Sequence, residues 1–104
     1  MVILHVKLKS AMSDDGAFEV MRDRAPRFRE VPGLLQLYFA RERETGELCG
    51  VHVFESQEAL EAYRETELAG AMEAAYEAES VRIETYDLLF PLHADRGVPT
   101  RLAI

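Results

Sequence analysis

The sequence has one cysteine and no tryptophan among its 104 residues. A single cysteine, Cys49, excludes an intrachain disulfide and fits a reducing compartment. The chain has no apolar run of the about 18 residues that a membrane span needs, and no charged-then-apolar leader opens it. The sequence therefore predicts a protein of the cytoplasm without a membrane partner.

The strong catalytic signatures are also absent. The sequence contains no P-loop, GxGxxG, HExxH, CxxC or GxSxG motif, so most enzyme classes lose support. The three histidines, His5, His52 and His93, lack the spacing that would place two imidazoles on one metal from a single element. We therefore expect no metal site. Cys49 has no neighbouring histidine or lysine in sequence to activate its thiol, which favours a small buried residue over a nucleophile.

Basic residues are outnumbered. Lysine and arginine total 12 against 19 acidic residues, which gives a formal net charge of −7. Such a charge repels phosphate backbones and anionic membrane surfaces, so nucleic acid is not an expected partner. The exception is the basic segment RDRAPRFR, whose four arginines have a helical spacing that favours a solvated face: Arg22, Arg24, Arg27 and Arg29.

The apolar pattern predicts six elements. VILHVKLK alternates as a strand, and the following segment has Ser13 as a helix N-cap, with Pro26 expected to kink or divide the helix. LLQLYFARERETGELCGVHVFES predicts a β-hairpin that turns at Thr45-Gly46. Ser56 caps a second helix that resumes after Gly70, and VRIETYDLLF returns to strand.

The order β-α-β-β-α-β is typical of the ferredoxin-like α+β fold, in which a four-stranded antiparallel sheet carries both helices on one face. We expect this domain to span residues 1–92 and residues 93–104 to form an extended tail. The hairpin strands are bulky on both faces, with Leu35, Leu37 and Phe39 opposite Leu34 and Tyr38. The two helices can cover only one face of the sheet. The sequence therefore predicts a homodimer, in which the sheet of a second copy covers the other face. The tail could pack on that partner.

The topology could gather aromatic and polar side chains into one site: Tyr38 and His52 from the hairpin, with Tyr63 and Tyr76 from the second helix and its continuation. Gly50, His52 and Phe54 share one strand face. If that face meets the helices, Gly50 leaves room for a small cavity walled by imidazole and phenol groups. If it meets the partner sheet, His52 is an interface residue. The residues alone leave both alternatives open.

A histidine in such a wall could take a proton from a phenolic or enolic substrate, while a nearby tyrosine holds the oxyanion. A hydrogen-bonded core histidine is the simpler alternative.

Three segments together resemble one family: RAPRFREVPGL, ETGELCGVHVFES followed by EALEAYRETEL, and VRIETYDLLFPL. They are similar to the YdhR-like monooxygenases and, more distantly, to the antibiotic-biosynthesis monooxygenases of the dimeric α/β-barrel superfamily. The likeness covers about residue 2 to about residue 93. It implies a cofactor-independent oxygenase in which a deprotonated phenol or hydroquinone reduces O2 in a cavity between sheet and helices.

The resemblance also implies that Gly50, His52 and Phe54 face this cavity. Phe54 stands where relatives commonly have tryptophan, and His52 stands where many have tyrosine. The leading hypothesis is therefore an oxygenase that needs no cofactor and acts on a small aromatic or polyketide-like phenol. His52 is its candidate base and Tyr63 its candidate oxyanion donor, and the candidate substrate contacts are Arg27, which would pair with an acidic substituent, Tyr38, Phe54 and Tyr76.

Two other functions remain open at this stage. One is a non-catalytic module whose cavity holds a small apolar ligand or is simply filled, which the lack of a strong catalytic motif favours. The other is haem binding, known among relatives of the fold, with His5, His52 or His93 as the axial ligand.

Overall fold

Four antiparallel strands form one sheet in the order β2-β3-β1-β4. The structure is a computed structural model that describes residues 1–95, 97 and 98. Along the chain the elements are β1 (Val2–Ser10), α1 (Asp14–Phe28), β2 (Leu34–Arg41), β3 (Leu48–Phe54), α2 (Gln57–Arg64), α3 (Glu67–Gly70), α4 (Met72–Ala75) and β4 (Ala78–Asp87). The ferredoxin-like α+β prediction is confirmed. The predicted tail, residues 93–104, lies mostly outside the described residues.

The central strand β1 shows why the sheet has one dry face. Its alternate residues Val2, Leu4, Val6 and Leu8 are all buried toward the helices. A strand presents alternate side chains to opposite faces, so this set forms a continuous apolar row. Phe54 of the neighbouring strand packs into the same core, beside β1.

Helix α1 begins as the sequence predicts and ends differently. The Ser13 side chain accepts a hydrogen bond from the amide of Gly16 at 3.1 Å, which caps the helix. Pro26 does not divide the helix, which continues to Phe28. Because Pro26 lies in the last turn, its missing donor removes one hydrogen bond without interrupting the turns before it.

The second helical region divides into three short helices. Ser56 caps α2 by accepting from the amide of Ala59 at 3.1 Å, and α2 ends at Arg64. Thr66 then caps α3, and α4 follows it. This division orients Tyr76, directly after α4, into the core, as the sequence predicts.

The hairpin turns where predicted, with Gly46 at φ +77°. Its strand β2 carries an irregularity between Leu34 and Gln36 that the sequence pattern does not reveal. Leu34 pairs with Phe54, and Leu37 pairs with His52. A bulge inserts one residue and changes the alternation, so Leu34 lies on the same face as Leu37 rather than on the opposite one.

The face of the sheet turned away from the helices is called the open face here. Ile3, Val51 and Val53 form its half-buried apolar centre, flanked by the exposed ring of Tyr86. The charged end of the face is internally paired: the Lys7 ammonium lies 3.2 Å from Glu42 and 3.9 Å from Glu47, and Arg82 lies 3.7 Å from Glu47. The open face therefore combines an apolar centre with a group of four paired charges, those of Lys7, Glu42, Glu47 and Arg82.

A candidate active-site cavity between sheet and helices

A cavity of about 40 Å³ lies between the sheet and the helices. Strand β3 supplies most of its floor, with contributions from β1 and β2, while α1, α2, α4 and the segment after α4 supply its walls. Most of the lining is apolar, and the side chains and backbone that matter for chemistry are Arg24, Phe28, Gly50, His52, Tyr63 and Tyr76. In composition, although not in volume, the lining is like that of a small-molecule site, which is apolar with a few polar groups that converge.

His52 faces the helices, which resolves the alternative that the sequence leaves open. Its side chain is only 5% exposed, and its Nδ1 lies 3.1 Å from the carbonyl oxygen of Leu4. Since a carbonyl only accepts hydrogen bonds, we assign the ring hydrogen to Nδ1, which leaves the lone pair on Nε2. Burial lowers the pKa of His52, although its hydrogen bonds to backbone carbonyls oppose that shift. The ring is therefore neutral at neutral pH.

Gly50 makes room for this ring. A β-carbon placed on Gly50 would lie 2.9 Å from Cε1 of His52, closer than side-chain atoms approach one another. On the other side, the imidazole stacks with Phe54 at 6.3 Å between ring centroids and 3° between planes. Because Gly50 has no side chain, the His52 imidazole fits over it. Gly50 also lines the cavity.

Two tyrosines complete the titratable wall. The Tyr63 ring lies 5.5 Å from the His52 ring, between centroids, and packs against Phe54 at the same distance. Burial raises the pKa of Tyr63 and of Tyr76. Both phenols are therefore protonated at neutral pH and can donate a hydrogen bond to a ligand oxygen.

Arg24 is the polar residue that the sequence interpretation misses. The expectation of a solvated face is wrong at this position, because Arg24 is only 7% exposed. Its Nη2 donates to the carbonyl oxygen of Leu68 at 2.9 Å. Ala17, Met21, Arg24 and Phe28 repeat at helical spacing on the inward side of α1, and that periodicity was the available signal. The positive charge of Arg24 suggests the solvated side of the helix instead.

The structure brings three of the six predicted site residues to the cavity wall: His52, Tyr63 and Tyr76. Phe54 is fully buried and supports the His52 ring rather than lining the cavity.

The other two predicted residues lie away from the cavity. Tyr38 pairs with Val51 on the open face and is 58% exposed, because residues of odd parity on β3 point away from the helices. Arg27 is one turn further along α1 than Arg24 and faces solvent, where its Nη2 lies 3.4 Å from Glu67.

Within residues 1–95, 97 and 98, no three His, Cys, Asp or Glu side chains group closely enough to hold a metal ion. No helix in that part of the chain is both long and apolar enough to cross a bilayer.

The fold and the cavity together define a ferredoxin-like α+β protein with a small, partly polar site between its sheet and helices. The family model described as "Putative mono-oxygenase ydhR" matches residues 2–96. The chain therefore belongs to the ydhR family. No curated protein sequence matches it significantly.

Solved structures share the fold. A structure described as a "putative antibiotic biosynthesis monooxygenase" from Caulobacter crescentus CB15 superposes with a TM-score of 0.68 at 26% identity, covering 83% of this chain and 87% of that one. A protein of the same description from Deinococcus radiodurans gives 0.67 at 16% identity, covering 95% and 97%. SnoaB, described as a cofactor-independent oxygenase from Streptomyces nogalater, gives 0.68 at 14% identity, covering 94% and 96%. The last two likenesses establish the fold alone.

The fit of His52 over Gly50 can be tested by Gly50→Ala. The new methyl group would collide with the imidazole, so we expect a loss of about 1–3 kcal/mol in the free energy of unfolding. The matched control is Gly70→Ala, because a β-carbon there meets no atom within 4 Å. This control should be neutral or slightly stabilising. Urea unfolding measures the free energy of unfolding of both variants. Equal values for Gly50→Ala and Gly70→Ala would show that the packing of the His52 ring does not require glycine at position 50.

The depressed pKa of His52 predicts a pH dependence of stability. Below the unfolded-state pKa of about 6.5, the unfolded chain binds a proton that folded His52 resists binding. Stability should therefore fall as pH decreases from about 6.5 toward the lower folded-state pKa, by at most about 1.4 kcal/mol per pH unit. The unfolding free energy of His52→Gln should therefore fall less than that of wild type between about pH 7.5 and about pH 5.5.

The exposed His93 provides the control for this measurement. His93→Gln should retain the wild-type difference in unfolding free energy between the two pH values. Equal pH dependence in wild type and His52→Gln would contradict the neutral assignment of the buried ring.

Proposed function

We propose that the protein is a cofactor-independent monooxygenase that acts on a small aromatic or polyketide-like phenol in the cavity. The observation that carries this proposal is the buried pair of a neutral imidazole and a protonated phenol, His52 and Tyr63, with 5.5 Å between ring centroids in one cavity wall. Membership of the ydhR family and the monooxygenase-like fold neighbours support a function of this kind.

The two side chains match the first step of such a reaction. Nε2 of neutral His52 accepts the phenolic proton, and the Tyr63 hydroxyl donates a hydrogen bond to the resulting oxyanion. A desolvated histidine is a weaker base than one in water, so stabilisation of the oxyanion is needed to make this transfer favourable. The protein's part is to remove the proton, hold the anion and exclude water.

A phenolate ring made electron-rich by further hydroxyl groups or fused rings, as in a hydroquinone or a polyketide-like phenol, can reduce O2 directly. A C–O bond forms at a ring carbon that carries hydrogen, and the distal oxygen takes a proton to give a hydroperoxide. Loss of water then yields a quinone, so the ring is oxidised, one oxygen atom enters the product and the other leaves as water. A phenol and O2 thus balance a quinone and H2O, with O2 as the only oxidant.

The size of the cavity determines how a substrate enters. About 40 Å³ holds a molecule such as water or O2, whereas a cavity of about 150 Å³ binds benzene. A surface groove of about 420 Å³ adjoins the cavity and shares Met21, Phe39 and Leu48 with it. Methionine is unbranched and flexible, so Met21 is the side chain that moves to join the groove to the cavity.

A second candidate function rests on the same small volume. A non-catalytic module would keep His52 as a core residue whose Nδ1 is already bonded to Leu4. The haem alternative requires far more space than this cavity offers. Catalysis and simple packing differ in whether the protein consumes oxygen.

The functional unit in this proposal is a cytoplasmic homodimer joined through the open face. A second copy would bury its apolar centre, formed by Ile3, Val51 and Val53, away from water. Lys7, Glu42, Glu47 and Arg82 at its end are already paired within one chain, which lowers the cost of burying these four charges. The single cysteine fits the cytoplasmic location.

Oxygen uptake with a panel of phenols and hydroquinones tests the activity. Wild type should consume O2 with at least one of them, and His52→Ala should be slower by about 10²–10⁴-fold because the base is lost. His93→Ala, at an exposed position, should match wild type. Use of ¹⁸O2 should place one labelled oxygen in the product. If neither wild type nor His93→Ala exceeds the background, the oxygenase proposal fails and the non-catalytic module remains.

The dimer can be tested by small-angle scattering at several concentrations. One chain has a Cα radius of gyration of 14.6 Å, and a dimer must exceed it. Val53→Lys places a charge in the apolar centre of the open face and should reduce the particle to one chain. Phe18→Lys adds the same charge at an exposed site on α1 and should leave the dimer intact. A wild-type particle of single-chain size at high concentration would exclude this interface.

A further inference from the structure

The cavity contains a buried positive charge without an acidic partner. In the described part of the chain, ion pairs join Lys7, Arg27, Arg41 and Arg82 to carboxylates, but none involves Arg24. Its Nη2 donates to the carbonyl oxygen of Leu68, while its Nε is buried without any hydrogen-bond partner. A charge in this position is costly unless something compensates it.

Aromatic faces compensate the charge only in part. The guanidinium carbon lies 5.5 Å from the centre of the Phe28 ring and 5.8 Å from the centre of the Tyr76 ring. Such cation–π contacts are weaker than a hydrogen-bonded ion pair, and they leave the in-plane N–H groups unused. Nε therefore still lacks an acceptor.

The other titratable groups of the wall carry no charge that could neutralise Arg24. His52 is neutral, and Tyr63 and Tyr76 keep their protons because burial raises the pKa of each phenol. Arg24 is thus the charged side chain of the cavity lining, within a chain whose net charge is −7. The local charge favours an anion where the protein as a whole repels one.

We propose that Arg24 is the anion-binding residue of the cavity and that its ligand is an aromatic acid, with a carboxylate for Arg24 and a phenolic hydroxyl for His52 and Tyr63. A guanidinium offers a planar fork of donors that matches a carboxylate. The Phe28 ring contacts both groups, with its centre 5.5 Å from the guanidinium carbon of Arg24 and 5.8 Å from the centre of the His52 ring. This inference deepens the proposed function and rests on the same cavity.

The test measures binding rather than turnover. 4-Hydroxybenzoate and its neutral isostere 4-hydroxybenzamide are titrated into ¹⁵N-labelled wild type, Arg24→Gln and Arg22→Gln, and the dissociation constants are taken from chemical-shift changes. Arg22 is the matched control because it is an exposed arginine on the same helix. Circular dichroism checks that each variant is folded.

We expect wild type and Arg22→Gln to bind the acid about ten-fold more tightly than the amide, because the ion pair is made inside the protein. Arg24→Gln should lose this preference, and the Nε–H resonance of Arg24 should shift when the acid binds wild type. Equal binding of acid and amide by wild type, or no binding of either, overturns the proposal. This comparison does not require Arg24→Gln to fold.

The outcome separates this inference from the proposed function. Acid-selective binding without oxygen uptake would leave Arg24 as the anion site of a binding module. Oxygen uptake with neutral phenols, without any preference for acids, would support the oxygenase and remove the role of Arg24.

Discussion

The position of His52 depends on the register between β1 and β3. Leu4 pairs with His52 and Val6 pairs with Gly50, so both β3 residues lie on the face that the helices cover. A slip of one residue would invert every side chain of the strand, and would exchange His52 for its valine neighbours. The bond from Nδ1 to the carbonyl of Leu4 adds a polar contact between these two strands. The cavity, its neutral imidazole and the apolar open face all follow from this pairing.

Local rules account for the parts of the fold that the sequence predicts correctly. The positive φ of Gly46 allows the hairpin to turn, Ser13 and Ser56 cap their helices, and Tyr76 follows the apolar side of its segment. Each of these features depends on residues within a few positions of one another. The order of strands then follows from the topology of the fold.

What the residues alone leave open or miss depends on contacts between distant segments. The face of His52, which the sequence leaves open, is decided by pairing with β1, and the bulge near Leu34 depends on how β2 meets β3. Arg24 is a different case: its charge predicts a solvated side chain, although its position in the apolar repeat of α1 indicates the buried side. Long-range packing overrides the usual preference of arginine for solvent, and sites of function are where such conflicts between local and global rules are expected.

The combination of a small cavity with a buried cation that is compensated only in part argues against a purely structural core. An apolar side chain of similar volume at position 24 would fill the space between Phe28 and Tyr76 without the cost of burying a charge. The folded protein nevertheless buries the Arg24 charge, and a cavity remains beside this side chain. A ligand that brings a negative charge would compensate the guanidinium when it binds and so remove this cost. The small cavity beside a buried, partly compensated arginine is therefore the feature that the proposed anion site explains.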